Sequence, residues 1–137
     1  MRMYLAREPG GMFRLCELPP VRMKSFWKPV NHGYFNIDSK FGSIIFPELS
    51  FDDALLEIDV DFGIGDEWFI CHDLSGTYRI CKSEPKFYSI YNNKVKHLCE
   101  FWDSKEQLTC EKQFGDELFG IQDHTKYMKI LLKISLK

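Results

Sequence analysis

Four histidines and five cysteines give this 137-residue chain its widest chemical options. Cys71, His72 and Cys81 fall on one expected hairpin. His97 and Cys99 share one side of an expected strand, and Cys110 follows. Zinc requires three or four such ligands converging on one point, and nucleophilic catalysis requires a Cys or Ser beside a His steadied by a carboxylate. The spacing here matches no zinc finger or ribbon. Cys71 and His72 point to opposite faces of a strand, and Cys16 recurs as Cys81 with no histidine near it. No nucleophile elbow, phosphate-cradling glycine loop or HExxH is present. The cysteines are read as small buried hydrophobes, and the sequence assigns no catalytic residue, no metal ligand and no cofactor. The acidic series Glu57, Asp59, Asp61, Asp66 and Glu67 lacks the EF-hand pattern and is read as a solvated strand face.

Arg14 and Arg79 are the best candidates for ligand binding. They occupy matching places in two similar segments, on the side of a strand away from the expected core. If the two halves pack with approximate two-fold symmetry, they flank one groove, where guanidinium groups suit a carboxylate or phosphate. The competing reading gives each arginine a cross-strand ion pair with Glu8, Glu17 or Asp73. Trp27 and Trp102 are assigned to the same surface. With Tyr34, Tyr88 and Tyr91 they exceed what small cores need, and some are expected in an exposed recognition patch.

The elements that carry these residues come from an internal repeat. Residues 4–16 lie over residues 69–81 at an offset of 65, with Gly11/Gly76, Arg14/Arg79 and Cys16/Cys81 identical and Pro20/Pro85 extending the match. The same offset sets Asp38-Ser39-Lys40 on Asp103-Ser104-Lys105. Phe41-Gly42 and Phe46 match Phe114-Gly115 and Phe119 at offset 73, and Ala54–Val60 match Ile130–Leu136 at offset 76. The reading is a tandem duplication: residues 1–60 as the first β-rich repeat, 61–67 as a linker with two glycines among acids, and 68–137 as a second, divergent repeat.

Each repeat opens with a hairpin. Glu8-Pro9-Gly10-Gly11 suits a type II turn and Asp73-Leu74-Ser75-Gly76 a type I turn. Phe13 and Leu15, with Tyr78 and Ile80, face the core. Aromatic segments such as Phe87–Tyr91 suggest short strands, Asp-Ser-Lys suggests a turn, and Ser50 is placed as the N-cap of a helical turn within residues 46–53. Each repeat closes with a strand. The fold class is mainly β, with α+β as the alternative: a small antiparallel sheet or partial barrel in each half, related by a pseudo-two-fold.

Tyr4-Leu5-Ala6-Arg7, Gly11, Phe13 and Phe46-Pro47-Glu48-Leu49-Ser50-Phe51-Asp52-Asp53 resemble small uncharacterised proteins of gut bacteria and their phages. The resemblance covers most of residues 3–60. The second copy carries His72 in place of the Arg and Gly120 in place of the Pro. The resemblance implies a mobile-element or phage setting and no activity.

Net charge is −2, so no basic excess draws the chain to a phosphate backbone, and nucleic acid is disfavoured as a partner. Twelve phenylalanines supply large core rings. The N-terminus lacks a signal-type apolar run and no segment approaches the ~18 apolar residues of a membrane span. With an odd number of cysteines read as reduced thiols, the protein is expected to be cytoplasmic, as a monomer or homodimer. The leading functional reading is a non-enzymatic binding protein with a protein partner. The alternatives are a small-ligand or nucleotide-binding protein of the phage counter-defence kind, using the groove between repeats, and a small hydrolase.

Overall fold

The computed structural model describes residues 1–46 and 48–136, the side chain of Leu136 excepted; Pro47 of the Phe-Pro segment lies outside the described residues. The chain opens with an antiparallel hairpin, β1 (Arg2–Arg7) and β2 (Phe13–Cys16). Its turn differs from the type II turn expected from Pro9-Gly10. The glycine with positive φ is Gly11, at +100°, and its N–H donates to Glu8 O at 2.9 Å. The second hairpin, between the end of β6 (Leu56–His72) and β7 (Tyr78–Cys81), is built the same way, with Gly76 at φ +95° donating to Asp73 O at 2.9 Å. Both are turns closed by a glycine in the fourth place, whose positive φ an L side chain adopts only with strain. The shared Gly11/Gly76 position, rather than the differing central residues, sets the geometry.

The remaining strands are β3 (Val21–Arg22), β4 (Trp27–Lys28), β5 (Tyr34–Ile37), β8 (Lys86–Asn92), β9 (His97–Asp103), β10 (Gln107–Cys110) and β11 (Met128–Leu136). Seven strands form one antiparallel sheet in the order β1-β2-β5-β10-β7-β6-β11, and a further β1–β6 pairing returns six of them to a closed circuit. The order strand, strand, strand, helix, strand occurs twice, and the register recurs pair for pair. Leu5↔Leu15 is matched by Ile70↔Ile80, and Arg14↔Asn36 by Arg79↔Thr109. The two halves meet through β5 and β10, where Asn36 faces Thr109.

Two details of the sequence match change. Asp38 is the N-cap of α1 (Ser39–Ile45), its carboxylate accepting from Phe41 N at 2.8 Å, so Asp-Ser-Lys begins a helix rather than marking a turn. Its counterpart is Glu111, the N-cap of α2 (Lys112–Leu118); Asp103 instead ends β9. The closing strands also shift. Leu56 pairs with Leu5 and Met128 with Ile70, which aligns them at an offset of 72 instead of 76. Only this places Ile58 and Val60 on Ile130 and Leu132, all four buried. Ser50 caps no helix: its N–H donates to Asp53 Oδ2 at 2.6 Å and Asp53 N to Ser50 O at 3.2 Å, closing a turn.

The halves share one core instead of holding two. Met3, Phe13, Phe35 and Ile37 from one, and Ile70, Tyr78, Ile80 and Leu108 from the other, belong to the same buried cluster. Residues 61–67, read as a linker, lie inside the 17-residue strand β6, because alternating Asp59, Val60, Asp61 and Phe62 continue a strand pattern through the glycines. Among the described residues, no helix is long and apolar enough to cross a membrane.

Each short helix seats against the ring of its own hairpin. A Cβ built on Gly42 would stand 2.2 Å from Phe13 Cδ2, and one on Gly115 2.0 Å from Tyr78 Cδ2. Contact that close admits hydrogen only, so each helix packs flat on a ring. Gly42→Ala and Gly115→Ala are each expected to destabilise the fold by roughly 1–3 kcal/mol through overpacking. Gly10→Ala, with open space around it, should change stability by less than about 0.5 kcal/mol; urea denaturation followed by circular dichroism measures all three.

Candidate functional site

The side of the sheet turned away from the core carries a polar row. In the cross-strand registers, Arg14 stands beside Asn36, Asn36 beside Thr109 and Thr109 beside Arg79. The two arginines therefore share one face, about 14 Å apart if three inter-strand spacings separate them. Each is already engaged. Arg14 Nη1 donates to Asn36 Oδ1 at 2.9 Å, its Nε lies 3.4 Å from Glu8 Oε1, and the guanidinium covers the Tyr34 ring. Arg79 donates through Nε and Nη2 to Asp73, the shortest bond 2.8 Å. Glu8 and Asp73 open the two equivalent hairpin turns, so each arginine meets the carboxylate of its own hairpin. An incoming anion would compete with those carboxylates, and of the described nitrogens of the two guanidinium groups Arg14 Nε is buried without a hydrogen bond.

Trp27 and Trp102 are supports instead of displayed rings, being 6% and 8% exposed. The Trp27 backbone N–H donates to Glu8 Oε1 at 2.9 Å, fastening the β3–β4 hairpin to the first turn. Trp102 Nε1 donates to His124 O at 2.8 Å and His72 O at 3.2 Å, and its ring meets Phe87 and Tyr127. It fixes the root of the β8–β9 hairpin. Of the five expected patch aromatics, Tyr88 and Tyr91 are exposed, Tyr34 is half-buried, and the two tryptophans are buried.

Beyond that root β8 and β9 form a separate two-stranded ribbon. The register sets Phe87 opposite Trp102, Tyr88 opposite Phe101, Ile90 opposite Cys99 and Tyr91 opposite Leu98. Alternation divides these into two faces. Phe87 and Trp102 turn to the body. Tyr88, Phe101 and Ile90 stand exposed on the other face, with half-buried Cys99 among them. Toward the tip Tyr91, Val95 and Leu98 are exposed as well. The tip is shaped by Asn92, whose side-chain oxygen accepts from Lys94 N at 2.9 Å. Sequence reading took Tyr88 and Tyr91 from this element and missed Ile90, Leu98 and Phe101. The signal was a run apolar on both faces, Phe87–Tyr91, bounded by the Asn-Asn-Lys turn, which a ribbon anchored by one face requires.

Cys71 and Cys81 lie against each other, and two of the histidines meet carboxylates. His32 Nε2 meets Glu117 at 3.3 Å and His124 Nε2 meets Glu100 at 3.1 Å. His72 stacks on Tyr78 as Arg7 lies over Phe13 in the other half. Among the described residues no three His, Cys, Asp or Glu side chains gather to hold a metal ion. A polar concavity of about 670 Å³ beside the first turn is lined by Arg7, Glu8, Gly11, Ser39, Leu49 and Asp53. There Arg7 is a strut, donating to Gly11 O, Leu49 O and Ser39 Oγ at 3.0–3.3 Å.

Burial pushes the Cys16 thiol up to about 11 and the Cys110 thiol up to about 12, so both are protonated near neutrality. Burial and a hydrogen bond to Asp116 at 2.5 Å raise the Tyr78 phenol above its usual range. Lys112 and Tyr78, donating to Asp116, hold its carboxyl below the usual value. Comparison of the sequence with protein-family models and with curated proteins, and of the fold with solved structures, finds no match.

Two outcomes follow from this chemistry. A maleimide added to native protein should modify Cys99 first, since the other four thiols are buried; mass spectrometry of peptides reads the order. Tyr78→Phe should cost about 1–2 kcal/mol and raise the Asp116 pKa, followed by NMR titration. Because the folded Asp116 pKa is depressed, its stabilising effect is present above the unfolded carboxyl range and lost as pH falls through the folded value.

Proposed function

We propose that this is a non-enzymatic binding protein that engages a protein partner through the β8–β9 ribbon. The observation that carries the reading is the ribbon's outer face. Ile90 is 52% exposed and Phe101 45%, on an element whose opposite face is anchored by Trp102. A monomer normally covers a contiguous apolar stripe of this kind, and aromatic anchors on a preformed support are what a protein interface uses. We also propose that the two halves descend from one duplicated unit, on the strength of the repeated register and the paired turn and helix glycines. The second half would then have gained its binding element by lengthening a small hairpin, β3–β4 in the first half, into a ribbon.

The small-ligand alternative draws on Arg14 and Arg79 sharing one row. It is the weaker reading, because Glu8 and Asp73 already neutralise the two guanidinium groups. The experiment is proximity cross-linking in cells that make the protein, comparing wild type with Ile90→Ser/Phe101→Ser and with Arg14→Gln. The ribbon variant should lose its cross-linked partner while keeping its melting temperature, and Arg14→Gln should retain it. Cross-linking that survives in the ribbon variant and disappears in Arg14→Gln would move the site to the central row.

A further inference from the structure

A second exposed apolar feature lies on β6. Its pairing with β1 ends at Asp59 and its pairing with β7 begins at Phe69. The β11 register jumps from Phe69 to Ile64, so residues 65–68 have no partner there. Ile64, the residue just before this stretch, pairs with Ile130. Ile64, between Gly63 and Gly65, is 99% exposed, the most exposed large apolar side chain among the described residues. Asp61, Asp66 and Glu67 are exposed around it. Asp61 is locally offset: it faces Lys133 in the register and the N-terminal ammonium at 3.6 Å. Asp66 and Glu67 sit in the unpaired stretch and take part in none of the described ion pairs. An aliphatic side chain thus stands in water with two unmatched carboxylates beside it.

The tip of the ribbon has the complementary chemistry. Val95, 67% exposed, lies between Lys94 and Lys96, with His97 next in sequence and the exposed Tyr91 and Leu98 alongside. Neither lysine belongs to a described ion pair. Each surface offers apolar contact beside charges that join no described ion pair, acidic on one and basic on the other.

We infer that the protein associates head to tail with a second copy of itself, the tip at residues 94–96 of one copy docking on the exposed Ile64 of the next. The inference rests on reading the ribbon as a docking element and names its occupant at the tip. Val95 and Leu98 cover Ile64, which removes apolar surface from water. The lysines meet Asp66 and Glu67, which steers the encounter and sets its orientation. Every copy carries one of each surface, so the contact is heterologous and propagates into a ring or an open chain instead of stopping at a symmetric dimer.

Charge-swap sedimentation tests this. Wild-type protein, from about 1 μM to about 1 mM, should grow in mass with concentration, and less so in high salt. Lys94→Glu/Lys96→Glu and Asp66→Lys/Glu67→Lys, each alone, place like charges at the contact and should weaken association roughly tenfold or more. Their equimolar mixture presents opposite charges at every contact and should recover assembly, which separates a surface effect from misfolding. Ile64→Ser should weaken assembly without changing the melting temperature. A wild-type monomer at every concentration overturns the inference, as does assembly that persists in both reversed variants. Neither result touches capture of another protein by the Ile90 and Phe101 face, which the cross-linking experiment judges separately.

Discussion

The backbone pairing of β6 is the constraint on which the rest of the sheet depends. Its first residues close against β1, its last against β7, and β11 runs along it from Ile58 to Ile70. One strand therefore completes the first half and begins the second. Without it, β1 and β7 each lose a neighbour, β11 loses its only one among the described residues, and the buried row Ile58, Val60, Ile70 leaves the core. The shared strand gives two small units one cluster of buried side chains. A unit of about 60 residues is marginal alone because so much of its surface stays wet, and joining the two through β6 and the β5–β10 pair relieves that.

The sequence carried the strand alternation and the paired glycines clearly, and these are the parts tied to local stereochemistry. Phe13, Leu15, Tyr78 and Ile80 face inward as alternation requires, and Gly11 and Gly76 hold the same turn. Less legible was anything that depends on partners distant in sequence. Residues 61–67 read as a linker because two glycines flanked by acids are locally turn-like, yet β11 pairs with residues 61–64 and β6 runs on as strand through 65–67. Asp38-Ser39-Lys40 read as a turn because Asp and Ser favour turns; the helix that Asp38 caps lies with Gly42 against Phe13, a contact across 29 positions.

The same limit applies to the candidate site. Arg14 and Arg79 were visible as a matched pair, and the structure sets them in one row with Glu8 and Asp73 attached. The tryptophans were visible as surplus aromatics, but their burial comes from carbonyls and rings of other elements: His72, His124, Phe87 and Tyr127 around Trp102. The exposed face of the ribbon was hidden for the opposite reason. Ile90 and Phe101 resemble ordinary core residues until it is seen that they stand about half exposed on the outer face of the ribbon.

The arrangement of β6 also has a consequence in time. The β5–β10 junction joins positions more than 70 residues apart, and β11, which lines β6, ends at Leu136. Such distant pairings are slow to find because long loops must close before any contact rewards them. A ribosome that has released the first half leaves β5 without β10 and β6 without β11, with apolar side chains waiting for segments not yet made. The circuit therefore cannot close until β10 is available, and one edge of β6 stays bare until β11 pairs along it.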